Sequence, residues 1–173
     1  KMGFNVLAFE SDFFGLNFGF DRLDKTKSNI DSFLQKNIFP IWTYCNTCQN
    51  LFVGYIPATY QTKNPLIITG FDNQLILNFS SKNLTLYLDS LLQSLNISIT
   101  KQKNYKSEIL PLIDSLKYWS FKDTANYFKC ETYLTEIKNQ VITKLNENDF
   151  WVQVINSLLA ANKEYQLNKI DNI

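Results

Sequence analysis

The sequence predicts an α+β domain in which a mixed or antiparallel sheet with two short helices is followed by about three helices. Up to about residue 103, short apolar runs alternate with polar residues and are separated by turn residues, which is typical of strands. From residue 104 onward, apolar residues recur at helical spacing. We therefore expect a sheet-rich part over 1–103 and a helical part over 104–173 that share one core in a single domain.

Short strands are predicted along most of the first part. Their ranges are 5–10, 16–20, 38–44, 51–56, 65–69, 74–79 and 96–100. The turn that begins at Gly70 separates two of them and predicts a β-hairpin. Ser28 followed by Asp31 resembles a helix start and predicts a helix over 27–37. Five leucines on one helical face predict a second helix within 84–95.

Three helical patterns fill the second part. They cover 109–116, 121–146 and 148–168. Pro111 marks either the first turn of the first pattern or a kink in it. Ser120 and Asp123 form a capping signal near the start of the second pattern. These patterns predict about three amphipathic helices.

Residue composition excludes several classes of chemistry. The chain contains no His, which removes Ser-His-Asp and Cys-His catalysis and His-containing zinc sites. Arg22 is the only Arg and the net charge is +1, so we expect no nucleic-acid partner. Neither a phosphate-loop pattern nor a dinucleotide-binding glycine pattern occurs, and no ligand set for a metal is apparent.

The expected location follows from sequence features that are missing. No signal-peptide pattern opens the sequence, and no run of about 18 apolar residues could span a bilayer. The three Cys are an odd number, which argues against a disulfide-built scaffold. We therefore expect a soluble chain without a membrane span, in the cytoplasm or another reducing compartment.

Cys45 and Cys48 form a C-x-x-C pattern. A redox pair of this kind requires a helix N-terminus, where the helix dipole lowers the thiol pKa. A zinc site requires further ligands, and only Cys130 remains. Because strands are predicted on both sides of the pattern, we expect an incidental turn.

Four carboxylates bracket the first predicted turn: Glu10, Asp12, Asp21 and Asp24. A pair of carboxylates can perform acid–base chemistry if one of the two is buried. Polar turn positions and strand edges explain these residues more simply, and we expect that role for them.

Segment 7–23 resembles the opening of one group of acyltransferases. Its sequence, LAFESDFFGLNFGFDRL, is similar to the L-x-W-[DE]-S-x-F-F-G opening of GCN5-related N-acyltransferases that acylate amino groups on nucleotide-linked sugars, such as the TDP-fucosamine acetyltransferases. Phe9 replaces the Trp of that pattern. A fainter likeness continues at Gly70-Phe71 and in segment 120–133, SFKDTANYFKCETY.

The resemblance implies an acyl-CoA-dependent N-acyltransferase that binds a nucleotide-sugar amine, with acetyl-CoA as its cofactor. The residues that it assigns to the substrate end are Glu10, Ser11, Phe13, Phe14 and Gly15. It makes Tyr165, in a late helix, the candidate general acid. The chain departs from the family at the acyl-CoA site, because no Gly follows Gly70 and the glycine-containing pyrophosphate loop is missing.

A non-catalytic binding or assembly subunit is the alternative function. In this interpretation, exposed aromatic side chains and amphipathic helices contact a protein partner. The missing loop favours the binding subunit, and the opening motif favours the acyltransferase. A degenerate transferase fold that has been kept as a binding module would satisfy both.

Overall fold

The computed structural model describes residues 5–118 and 123–170 of the chain. The chain divides into two compact units, Lys1–Ser81 (the first unit) and Lys82–Ile173 (the second unit). The sequence placed the change from sheet to helix after residue 103. Helices dominate the described residues, and the α+β class holds because the first unit contains one small sheet.

Two parallel strands, β1 (Val6–Asp12) and β2 (Ile67–Asp72), form the sheet found in the described part of the chain. Val6 lies opposite Ile67, and the register becomes irregular toward the end of β1. The predicted antiparallel pairing and its hairpin are therefore wrong. Parallel neighbours need a long crossover connection, and the chain between β1 and β2 is helical.

The first α-helix, α1 (Lys27–Asn37), confirms the helix predicted at 27–37. Its N-cap is Thr26, whose side-chain oxygen accepts a hydrogen bond from the amide of Asn29 at 3.3 Å. The sequence had placed the capping signal at Ser28. An N-cap residue directly precedes the first helical residue, so that signal was read too late in the chain.

Helical or irregular backbone replaces the remaining predicted strands. Segment 16–20 lies in a helix over residues 13–21, which is π-helical at Gly15–Gly19 and is called here the π-rich helix. The other four regions contain α2 (Pro40–Thr43), a π-helical turn (Asn50–Tyr55) continued by α3 (Ile56–Thr59), the start of α4 (Asn78–Ser94), and a 3-10 turn (Ser98–Lys101). Short apolar runs fit a buried helix as well as a strand. Pro40 lies in the first turn of α2, where it suits a helix start.

The helix that was predicted within 84–95 is confirmed as part of α4. Leu84, Leu88 and Leu92 are buried along one side of it. The first part of the chain thus contains more helical elements than the two short helices expected.

A cluster of apolar side chains forms the core of the first unit. Its buried members are Phe9, Leu16, Phe20, Ile30, Leu34, Ile38, Phe52, Ile56 and Ile68. The rings of Phe9 and Phe52 lie 5.5 Å apart between centroids. The core therefore joins the inner face of the sheet to α1 and to the helical segment that ends with α3.

Residues 105–118 form three consecutive short elements where one helix was predicted. They are a π-helical turn (Tyr105–Ile109), α5 (Leu110–Asp114) and a 3-10 turn (Ser115–Tyr118). Pro111 lies in the first turn of α5, which is one of its two predicted roles. The expected set of about three helices is wrong in number, because the described residues after 103 also contain two long helices.

These two helices are α6 (Ala125–Ile142) and α7 (Phe150–Ile170), which cover most of the predicted ranges. The predicted capping residue Ser120 lies outside the described residues. Asn162 of α7 is buried and donates its side-chain N–H to the carbonyl oxygen of Tyr127 in α6 at 3.0 Å. Apart from this bond, α6 and α7 bury mainly aliphatic side chains.

Candidate functional site

The segment that carries the acyltransferase resemblance joins β1 to the π-rich helix without a loop. Asp12 ends the strand, and its Oδ1 accepts a hydrogen bond from the amide of Gly15 at 2.9 Å. Asp is a favoured N-cap because its carboxylate accepts from an amide in the first helical turn. The residues Asp12 to Gly15 of the motif therefore form a strand end and a helix cap.

Asp12 is fully buried, and this burial raises the pKa of its carboxyl group to about 7. The amide of Gly15 and the nearby hydroxyl of Ser80 act in the opposite direction, since they favour the ionised form. Asp12 Oδ2 and Ser80 Oγ both lack a hydrogen bond of good geometry within the described residues. A polar turn or a strand edge was expected for this carboxylate. Asp12 does end β1, but its side chain is buried and not in a solvent-exposed turn.

Two further buried side chains bind amides at the starts of helices. Ser11 Oγ accepts from the amide of Phe39 at 3.0 Å, next to the start of α2. Asn37 Oδ1 accepts from the amide of Phe79 at 2.6 Å, in the first turn of α4. First-turn amides have no partner within their own helix. Together with Asp12, these side chains form a buried polar cluster. Its members accept hydrogen bonds from backbone amides at the starts of three helices.

Close backbone contact holds β2 against the end of β1. A Cβ on Gly70 would lie 2.5 Å from the carbonyl oxygens of Ser11 and Asp12, so only glycine fits at this position. The side-chain amide of Asn17 donates to the carbonyl oxygen of Gly70 at 2.9 Å and accepts from the hydroxyl of Thr69. The π-rich helix is therefore fixed to β2 as well as to β1.

The residues assigned to a substrate end lie together, but few of them reach the surface. Ser11, Phe14 and Gly15 are buried, Phe13 is half-buried, and Glu10 is exposed. The ring of Phe14 stacks on that of Phe18 with 4.9 Å between centroids.

Tyr165, the candidate general acid, is buried in α7 of the second unit. Asn37 of the polar cluster and Ser80, whose hydroxyl lies near the carboxyl group of Asp12, were not singled out from the sequence. No local signal identifies them, because their partners lie far away in the chain.

One face of the sheet carries apolar side chains that are exposed among the residues that the structure describes. Phe9 and Ile68 point into the core, and the alternating residues point outward. This outer sheet face consists of Val6, Ala8 and Glu10 of β1 and Ile67, Thr69 and Phe71 of β2. Val6, Ile67 and Phe71 expose 49%, 54% and 65% of their surface.

No family model, curated protein or solved structure matches this chain. The acyltransferase resemblance therefore stays a prediction. Within residues 5–118 and 123–170, no group of three or more His, Cys, Asp or Glu side chains could hold a metal ion. Over the same ranges, none of the helices has the length and apolar character needed to cross a membrane.

Proposed function

We propose that this chain is a non-catalytic binding module whose outer sheet face docks an element of a protein partner. The observation that carries the proposal is the exposure of Val6, Ile67 and Phe71 on one face of a parallel sheet. Parallel sheets are normally covered on both faces, and a sheet of two strands is marginal by itself. A partner element on this face would supply the missing layer.

The charge on the outer sheet face favours a partner other than a second copy of the chain. Glu10 lies in the face, and neither β1 nor β2 contains a Lys or Arg. Two copies joined through this face would bring like carboxylates together, which is unfavourable. The expected partner element is amphipathic, with apolar side chains over Phe71 and a basic residue opposite Glu10. A buried aromatic side chain such as Phe71 is a typical interface anchor.

The buried polar cluster supports a structural role for the resemblance motif. Ser11 and Asp12 already bind backbone amides. Both are fully buried, and a general acid or base must come within hydrogen-bond reach of its substrate. The motif thus serves the fold that presents the outer sheet face.

The first experiment places a photo-crosslinking amino acid at position 71 of the full chain in its native cells and identifies the adduct. Binding of the identified protein is then measured for Phe71→Ser, Glu10→Lys and the matched control Phe128→Ser, since Phe128 is 58% exposed in the second unit. We expect the first two variants to weaken binding about 10-fold or more, which is about 1.4 kcal/mol, and the control to have no effect. Equal effects of all three variants, or an adduct with a second copy only, would overturn the proposal.

The acyltransferase is the second candidate function. One observation favours it, because segment 10–15 lies at the carboxyl end of a parallel strand, where ligands bind in open α/β sheets. Acetyl-CoA should then bind the purified chain in calorimetry at micromolar strength, about 8 kcal/mol. The absence of heat at millimolar acetyl-CoA would rule this candidate out.

A further inference from the structure

The C-x-x-C pattern lies at the start of a helical segment and not between strands, so the expectation of flanking strands is wrong. Residues 49–59 are continuously helical, and Cys48 directly precedes them. The carbonyl oxygen of Cys45 accepts from the amides of Cys48 and Gln49 at 2.9 and 3.1 Å. This turn folds the two cysteines back toward each other at the helix N-terminus.

The two thiols are partly accessible, and each shifts the pKa of the other. Both side chains are half-exposed, and Cys45 Sγ lies 2.8 Å from Thr47 Oγ1. Hydrogen bonds from the Thr47 hydroxyl and from Cys48 lower the pKa of Cys45 to about 7, whereas the bond to Cys45 raises the pKa of Cys48. Cys130 differs from both, because it is fully buried and this burial raises its pKa to about 12.

We propose that Cys45 and Cys48 form a thiol–disulfide exchange site that takes protein disulfides as its substrate. The site contains a nucleophilic thiol, a neighbouring resolving thiol and a helix N-terminus, which are the features of a reactive Cys pair. It is independent of the outer sheet face and of the function proposed for that face.

The exchange proceeds in two balanced steps. The Cys45 thiolate attacks one sulfur of the substrate disulfide, forms a mixed disulfide and releases the other substrate sulfur as a thiolate. Cys48 loses its proton to solvent and attacks Cys45 Sγ, which releases the second substrate sulfur and leaves a Cys45–Cys48 disulfide. Two electrons pass from the dithiol to the substrate. A dithiol reductant returns the pair to its starting state by the reverse sequence.

Exposed apolar side chains beside the cysteines favour a protein as the source of the disulfide. Ile41, Trp42 and Tyr44 are exposed on and just after α2, immediately before Cys45. Such a surface can hold an unfolded or extended segment next to the thiols. A small disulfide such as oxidised glutathione would gain little from it.

The first test equilibrates the purified chain in glutathione buffers, followed by acid quenching, alkylation and mass spectrometry. We expect an intramolecular Cys45–Cys48 disulfide, and for Cys48→Ser a mixed disulfide between Cys45 and glutathione. Cys130→Ser should behave as the wild type. No Cys45–Cys48 disulfide at any glutathione ratio would overturn the proposal, and this readout on the wild type does not depend on the folding of a variant.

A second test measures alkylation rates of the native chain with iodoacetamide between pH 5 and 9. At pH 7, Cys45 should react about 10-fold or more faster than Cys48 because more of it is thiolate. Thr47→Val should slow the alkylation of Cys45 several-fold, whereas Thr47→Ser should keep the wild-type rate. Equal rates for the two cysteines would contradict the assignment of Cys45 as the nucleophile.

A third test separates the two sources of substrate disulfide. Reduction of a disulfide-linked peptide pair and of oxidised glutathione is compared for the wild type and for the double variant Ile41→Ser, Tyr44→Ser. We expect the variant to lose at least about 5-fold in rate with the peptide substrate only, since its thiols are intact. Unchanged peptide rates would overturn the assignment to protein disulfides.

Discussion

The interior of each unit is stabilised by a different kind of contact. In the first unit, buried polar side chains join distant parts of the chain, since Ser11 binds an amide 28 residues away and Asn37 binds one 42 residues away. Asn162 is the one buried polar residue found in the described part of the second unit, whereas the first unit contains Ser11, Asp12, Asn37, Thr43 and Ser80. The second unit relies more on aliphatic side chains of helices that are neighbours in sequence.

This difference makes the first unit the more fragile of the two. A buried polar group that loses its partner costs the full desolvation penalty of that group, about 1–3 kcal/mol. Contacts between distant segments also require closure of long loops before they form. A single substitution in the first unit should therefore lower the denaturant concentration at which that unit unfolds by more than a comparable substitution does in the second unit.

The largest expected effect is that of Phe14→Ala. The Phe14 ring is 1% exposed and contacts the rings of Phe18 and Phe79, at 4.9 and 5.8 Å between centroids. Removal of a buried ring costs about 3–5 kcal/mol of unfolding free energy, measured by urea denaturation. Phe13→Ala is the matched control, since Phe13 is half-buried and should cost much less. Equal losses of unfolding free energy in the two variants would contradict the assignment of Phe14 to the core and of Phe13 to a partly exposed position.

Gly70→Ala should cost about 3 kcal/mol, because the added methyl group would meet backbone atoms that cannot move without separating β1 from β2. Gly54→Ala is the control, since a Cβ there meets nothing within 4 Å. Hydrogen exchange should show lost protection in β1 and β2 and retained protection in α6 and α7. Loss of protection in all four elements together would contradict the division into two units.

Asp12→Asn tests the contribution of the buried carboxyl group. Its folded-state pKa is raised from 3.8 to about 7, so the folded chain binds a proton more tightly than the unfolded chain. The stability from this group is complete below pH 4 and is lost as the pH rises toward 7. Between pH 5 and 6.5 the wild type should lose roughly 2 kcal/mol.

The Asp12→Asn variant should lack this pH dependence, because Asn caps a helix as well as Asp and does not ionise. The unfolding free energies of the wild type and the variant are compared by urea denaturation at several pH values. Asp24→Asn, at an exposed position of the same unit, should keep the wild-type slope. The same slope in Asp12→Asn would show that other groups cause the pH dependence.

The contrast between the units also explains what the sequence could predict. The helices over 125–142 and 150–170 were predicted because their buried faces repeat locally at 3.6-residue spacing. In the first unit, β1, β2 and α1 were predicted, but the parallel pairing was not, since it depends on the distant approach of Gly70 to Asp12. The polar cluster was missed for the same reason. The C-x-x-C pattern was recognised, but its helix was mistaken for a strand.

The smallest expected effect concerns the start of α1, where sequence and structure name different capping residues. Thr26→Ala should lose about 1 kcal/mol of unfolding free energy, because the side chain that accepts from the amide of Asn29 is removed. Ser28→Ala should be neutral or slightly stabilising, since Ser28 lies inside the helix and Ala has the higher helix propensity. Urea denaturation of both variants decides between them. A larger loss of unfolding free energy for Ser28→Ala than for Thr26→Ala would support Ser28 as the N-cap, as the sequence predicted, and would place the start of α1 later in the chain.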